Sequence, residues 1–473
     1  MLSSDNLNEL RNEIKLSELP ASFRDAIITR RHLDVPYIWI DSLCILQMGP
    51  TAEQDWLHHA EEMHRVYEHY LLNISIDVSE DPHQGAFRAR NPFCLQDCYV
   101  WTPFPLFPET VEPHPSHSGF FVKEDETSKV SALDAEHIRT RNESPEPTAQ
   151  QNLRAIFTRQ DFFDVRYELP INGRAWVLQE RFLSHRTLHF CADRITWECN
   201  CKDTRGNMRS KTMSEYLPDG FDDITGNFDC WYQEDYSITN VSTLSKYYEL
   251  VMYYAGRQLT FPDKDKLVAF ASIARRCTSW MGNDYCAGLS RSIIPQGLLW
   301  RISGEWSVRR PATYRAPSWS WASVDSPLLC PLMSSDGVTL AEVQDMTVEL
   351  VDQHNRFGQV KSASLAITGP LIASKLIDAK LLVEVTLEVP THVQTMPETK
   401  EEMNEMLSRD DVFFFAILKD SQHPDGKLTL GIVLKIDTNG HYCRIELWEA
   451  KEGFMSQKGI DGTSFKTRTV TIL

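Results

Sequence analysis

Val35-Pro36-Tyr37-Ile38-Trp39-Ile40-Asp41 is a nearly continuous apolar run closed by a carboxylate, the pattern of a strand buried on both faces of a parallel sheet. Upstream, Leu19, Phe23, Ala26 and Ile27 recur at helical spacing, which predicts a helix over residues 19–31 with Pro20 near its start and Ser22 as its cap. Downstream, Thr51-x-x-Gln54 has the form of a capping box, and Trp56, Ala60, Met63, Tyr67 and Tyr70 follow on one helical face. That helix is expected to lay an aromatic stripe on the sheet. Leu71-Leu72-Asn73-Ile74-Ser75-Ile76 reads as the next buried strand. The order helix, strand, helix, strand predicts a parallel α/β unit with right-handed crossovers.

Beyond this unit the composition changes. Residues 103–151 are rich in Pro, Ser, Glu and Thr without regular spacing, which predicts a flexible insertion; His114 and His117 within it read as solvated side chains. A helix is expected from Gly173, capped by Asn172, to about Ser184. Thr187 to Cys191 and Ile195 to Cys199 read as a β-hairpin, and residues 231–254 and 264–279 as parts of a helical layer. Seven β-rich runs come next, at residues 347–351, 365–368, 381–389, 412–418, 428–436, 443–448 and 467–473. The expected organisation is an α/β domain over residues 1–205, a helical region over 206–310 and a β-rich region over 311–473.

With 473 residues, 42% of them hydrophobic, the chain is long enough to bury a large core. The 66 acidic and 48 basic residues give a formal charge of −18, which repels nucleic-acid phosphates and anionic lipid headgroups. No run approaches the length of a membrane span, and the polar first residues lack the apolar core of a signal peptide. Eleven cysteines without a regular framework suit a reducing compartment. These features predict a cytoplasmic protein with no bound metal: Cys191, Cys199 and Cys201 lack a fourth ligand at zinc spacing. The sequence also has no glycine-rich dinucleotide loop, Walker lysine loop, zincin helix or nucleophile elbow, and no cofactor is expected.

Three more stretches share the mixed tryptophan and polar character of Trp39 to Gln47: Asp55-Trp56, then Arg174-Ala175-Trp176-Val177-Leu178-Gln179-Glu180-Arg181, then Pro317-Ser318-Trp319-Ser320-Trp321-Ala322-Ser323. In this order they resemble the heterokaryon-incompatibility (HET) domain of filamentous fungi, from about Leu19 to Ser323. The resemblance implies a regulatory role in self/non-self recognition and programmed cell death, exercised through protein partners or self-association. HET domains usually open with a Tyr-x-x-Leu-Ser-Tyr-x-Trp-Gly strand. No counterpart precedes the first helix here, so the sheet is expected to have an exposed edge.

The helix around Glu180 repays attention because Gln179 and Glu180 fall within or beside its apolar arc, with Trp176 one turn away. A sheltered carboxylate either pairs with a cation, such as Arg174 or Arg181, or has its pKa raised. The αβ order and the Trp-x-x-x-Glu spacing are also similar to TIR domains, which have a flavodoxin-like parallel sheet with flanking helices. That resemblance assigns Trp176 and Glu180 to the tryptophan and catalytic glutamate of an NAD-cleaving site, making NAD a substrate, though Val177 stands at the usual cysteine position. Asp41, at the carboxyl end of its expected strand, is a second candidate for ligand contact, and equally a cap for the next turn. Arg174 and Gln179 complete the candidate set. Trp319 and Trp321 are expected on one face of a strand, as core. Reuse of the scaffold in specialised metabolism is a third reading.

Overall fold

The computed structural model describes residues 1–89, 98–100, 121–123, 154–157, 170–192, 195–199, 241–303, 310–331, 337–374, 410–421, 428–451 and 465–473. The expected strand at 381–389, the start of the expected 231–254 helix, His114, His117 and Cys201 lie outside them, as does most of the 103–151 segment.

The amino-terminal part follows the hydrophobic pattern. After α1 (Leu7–Asn12) comes α2 (Ala21–His32), whose N-cap is Pro20 and not Ser22; Ser22 is buried and donates its amide to the Pro82 carbonyl. A four-residue turn, α3 (Asp41–Cys44), leads to α4 (Ala52–His69). Ala60, Met63 and Tyr67 are buried on the inner face of α4, with Trp56 and Tyr70 packed at its ends. Thr51 holds the N-cap position without a side-chain cap bond, so the capping box is not formed. Strand β1 (Asn73–Ser75) comes after it.

Residues 35–40 do not form the predicted strand. They pair with no described strand, and Tyr37 is 86% exposed. Arg30 explains part of this: its Nη1 donates to the Val35 carbonyl at 2.7 Å and the Pro36 carbonyl at 3.3 Å, strapping the segment to α2. Pro36 also lacks an amide to offer a neighbour.

Strands β2 (Cys98–Val100), β3 (Phe121–Lys123) and β4 (Arg154–Phe157) form a small sheet in the order β2-β4-β3. Helix α5 (Ala175–Leu183) starts two residues later than predicted, with Arg174 and not Asn172 at the N-cap. Its apolar arc buries Ala175, Leu178, Phe182 and Leu183 against the common core. The predicted hairpin forms from β5 (Arg186–Phe190) and β6 (Ile195–Cys199). Strand β5 pairs parallel with β1, so the sheet order is β1-β5-β6. One pairing is parallel and one antiparallel. The protein is thus mixed α/β, and the purely parallel sheet expected from the sequence is replaced by a mixed one.

The middle layer contains α6 (Val241–Ala255), α7 (Pro262–Asp265) and α8 (Ala271–Met281), with a 3-10 turn at Val268–Phe270 dividing the helix predicted over 264–279. Three buried tyrosines of α6 tie it down: Tyr247 donates to the Gly288 carbonyl, Tyr248 to that of Gln296 at 3.2 Å and Tyr254 to that of Lys266 at 2.6 Å. Trp319 and Trp321 are fully buried as expected, but Trp321–Ser323 is a 3-10 turn where a strand was predicted. The indole N–H of Trp321 donates to the Gly288 carbonyl at 2.7 Å, and its ring meets Tyr254 and Phe270 edge-on at 5.7 and 5.1 Å. Buried indoles need such acceptors.

Two short antiparallel pairings lie between the helical layer and the last strands: β7 (Tyr285–Cys286) with β8 (Leu289–Ser290), and β9 (Arg301–Ile302) with β10 (Leu328–Leu329). The last part contains β11 (Val338–Thr339), β12 (Glu342–Leu350), β13 (Val360–Ala373), β14 (Val412–Asp420), β15 (Leu428–Ile436), β16 (Tyr442–Lys451) and β17 (Lys466–Ile472). Because β13 pairs with β17 on one side and β14 on the other, the path β13-β14-β15-β16-β17 closes on itself. Within this path every strand has a neighbour on both sides, and the edges of the sheet are left to β11 and β12. Phe415, Ile417, Leu430 and Ile432 join it to a hydrophobic core shared with α4, α5 and α6.

Candidate functional site

Three elements converge at the carboxyl end of residues 35–40. Asp41 opens α3, is solvent-exposed, and accepts a hydrogen bond from the Ser42 amide at 2.6 Å. The capping role foreseen for it is thus met in part, although Ile40 holds the N-cap position. From α4, Tyr67 points inward, 7% exposed and edge-on to Trp39 at 5.9 Å. From α5 comes Glu180, with Tyr67, Arg174 and Asp41 near enough to act on its charge.

The electrostatics of this group are dominated by burial. Desolvation raises the Glu180 carboxyl to a pKa of about 7; Asp41 adds to the rise, while Arg174 and the Tyr67 hydroxyl oppose it. The same burial, with the charges of Glu180 and Asp41, raises the Tyr67 hydroxyl well above its ordinary range, so it stays a donor. A carboxyl that titrates near neutrality beside a second carboxylate and a guanidinium is the kind of group that holds or moves a proton, or stabilises a developing cation.

Of the five predicted residues, Glu180, Asp41 and Arg174 come together. Trp176 and Gln179 do not join them by direct contact. Trp176 meets Trp56 edge-on at 6.4 Å and lies near Asp265, whose carboxyl burial raises to about 6 against the lowering effects of Trp176 and Lys264. Gln179, 1% exposed, turns toward α8, where its Oε1 accepts from the Ser272 amide at 3.3 Å. Both hold α5 in place. Tyr67 was read in the sequence only as a member of an apolar stripe; the signal for its role was its hydroxyl, which must find a partner when buried.

A second polar cluster was not foreseen. At the carboxyl ends of β1 and β5, His189 Nδ1 lies 2.8 Å from Asp77 Oδ2, and Ser75 donates to Asp77 Oδ1, with Asp77 2% and His189 1% exposed. Burial alone would raise the Asp77 carboxyl, but the hydrogen bond and charge of His189, the bond from Ser75 and the charge of Arg181 hold it below its ordinary value. The group fastens β1 to β5, and His189 is a packed core side chain. Cys191 is buried beside it and Cys199 ends β6. No group of three or more potential metal ligands forms among the described residues.

No described helix is long and apolar enough to cross a membrane. No curated protein and no solved structure matches the chain. The Glu180 helix lies beyond the stretch that a protein-family model matches, whereas α2, residues 35–40, Asp41, Tyr67 and β1 lie within it. That stretch, residues 3–101, matches the model of the family described as Heterokaryon incompatibility protein (HET).

Proposed function

We propose that this protein acts in fungal self/non-self recognition and triggers programmed cell death, with its HET domain as the effector and protein partners or self-association as the trigger. The HET match over residues 3–101 carries this reading. It is tested by expressing the chain in a filamentous-fungal host and scoring viability of fused cells. Loss of viability that depends on residues 3–101 is expected; full viability at high expression overturns the reading.

One observation favours a chemical second reading, NAD hydrolysis of the TIR type. Glu180 titrates near neutrality next to Asp41 and Arg174. Breaking the nicotinamide-ribose bond leaves positive charge on the ribose carbon; an ionised Glu180 stabilises it, water attacks that carbon, and nicotinamide, ADP-ribose and a proton are released. In this scheme Asp41 and Arg174 contact the ribose and phosphates, and Tyr67 holds Glu180 in place. Incubating the purified chain with NAD is expected to release free nicotinamide, and Glu180→Ala to reduce the rate at least about a hundredfold, the typical contribution of one positioned acid-base group. No turnover at any protein concentration overturns the chemical reading and leaves the recognition role intact.

A further inference from the structure

A cavity of about 190 Å³ separates residues 35–40 from β1, walled by Trp39, Ile40, Val66, Tyr67, Leu72 and Ile74. An apolar cavity of about 150 Å³ holds one benzene ring, whereas drug-sized ligands need roughly 300–1,000 Å³. The chamber therefore matches a single six-membered ring with one small substituent and is too small for a whole dinucleotide.

The nature of the substituent is set by the polar groups at its border. Arg30 carries the one charge among the wall residues. Its Nη1 is committed to the Val35 and Pro36 carbonyls, but its Nε is buried and makes no hydrogen bond. A buried donor on a cation without an acceptor is an unfavourable state that an incoming anion relieves. Among the described residues, Tyr37, Ile38 and Trp39 make no backbone–backbone hydrogen bond, and β1 pairs with β5 on one side and with no strand on the other. With three residues, β1 offers too few outward peptide groups to hold an added strand in register. One small acidic group needs no more than this.

We propose that this chamber binds a small monocyclic aromatic carboxylate, its ring against Trp39, Tyr67 and Ile74 and its carboxylate on Arg30. The proposal does not depend on the Glu180 chemistry, although Tyr67 borders both sites, and an occupied chamber would bear on the side chain that holds Glu180.

The test is ligand-observed NMR on the full chain titrated with benzoate, benzamide and 2-naphthoate. Benzoate is expected to saturate with a Kd on the order of a millimolar, the range open to a ligand of about nine heavy atoms. Benzamide is expected to bind at least about tenfold more weakly, for lack of the charge, and 2-naphthoate not at all, for lack of room. Arg30→Met should weaken benzoate binding at least about tenfold. Because Arg30 also straps residues 35–40, Leu33→Trp provides an independent check: Leu33 lies at the rim, 48% exposed, where an indole blocks the mouth without burdening the core. Absence of saturable benzoate binding to folded protein overturns the proposal. So does equal affinity for benzoate and benzamide, or undiminished binding in Leu33→Trp.

Discussion

Glu180 makes a prediction about stability that does not depend on any reaction. Its carboxyl titrates at about 7 in the folded protein, against an ordinary value of 4.5. A raised carboxyl pKa means that folding disfavours the ionised form. Below pH 4.5 both states are protonated and there is no penalty; between 4.5 and 7 the unfolded chain releases the proton first and stability falls; above 7 the loss is constant. At about 1.4 kcal/mol per pKa unit the full penalty is about 3 kcal/mol, to order of magnitude. Glu180→Gln keeps an acceptor beside Tyr67 and removes the charge. Urea unfolding should therefore find it more stable than the native chain by about 1–3 kcal/mol at pH 8 and nearly equal at pH 4; a variant less stable at pH 8 would show that Glu180 is not strained by burial. Much of this site was legible in the sequence, since helical periodicity places Glu180 at the margin of an apolar arc and Asp41 ends an apolar run. Tyr67 and the Asp77–His189 pair were not, because side chains on separate elements meet only through tertiary packing, which a one-dimensional pattern does not carry.

At the level of elements, periodicity was a sound guide where one face alone had to be buried, and an uneven one where the whole segment was apolar. Helix α4 and strands β12 and β13 show the first case; in the second, β14 and β15, buried almost throughout, form strands as their runs predict. Residues 35–40 do not: a run of apolar side chains matches a strand, but β1 does not pair with it and Arg30 takes two of its carbonyls. Trp319 and Trp321 alternate as in a strand, yet the acceptor for Trp321 lies on Gly288, and reaching it takes a 3-10 turn. The closed β13–β17 sheet was legible as strands and not as a closure, since the β13–β14 pairing joins segments far apart in sequence. Gly431 shows how tightly it is packed: a Cβ there would lie 2.2 Å from the Phe415 carbonyl oxygen and 2.5 Å from the Trp448 indole. Backbone and a buried ring cannot yield cheaply, so Gly431→Ala should destabilise by about 1–3 kcal/mol or more, as overpacked cores do. Thermal unfolding followed by tryptophan fluorescence measures it, and an unchanged Tm would mean that the strands are more loosely packed than the structure has them.

Across the whole molecule, a continuous core joins α4 and α5 near the candidate site to the closed sheet at the other end of the sequence. Arg444 is a discrete tie within this arrangement. From β16 its guanidinium stacks on the Trp300 ring at 3.6 Å, and it donates to the Leu298 carbonyl at 3.1 Å and to the Trp300 carbonyl. Trp300 in turn donates its indole N–H to the Trp319 carbonyl at 3.2 Å, so the chain of contacts runs from the sheet into the tryptophan-rich segment. Burial lowers the Arg444 pKa to about 10, which still leaves it charged at neutral pH. Arg444→Met keeps most of the volume but strands two buried carbonyls, each worth about 1–3 kcal/mol when left without a donor, and loses a cation–π contact. The expected cost is about 2–5 kcal/mol, read as a lower urea midpoint. If the closed sheet and the helical layers are joined as this packing requires, fluorescence and far-UV circular dichroism should still report one common transition in the native chain. In Arg444→Met the two signals should separate, because the weakened junction lets the sheet unfold before the layers that carry Glu180. Coincident transitions at the native midpoint would mean that Arg444 does not bear the connection.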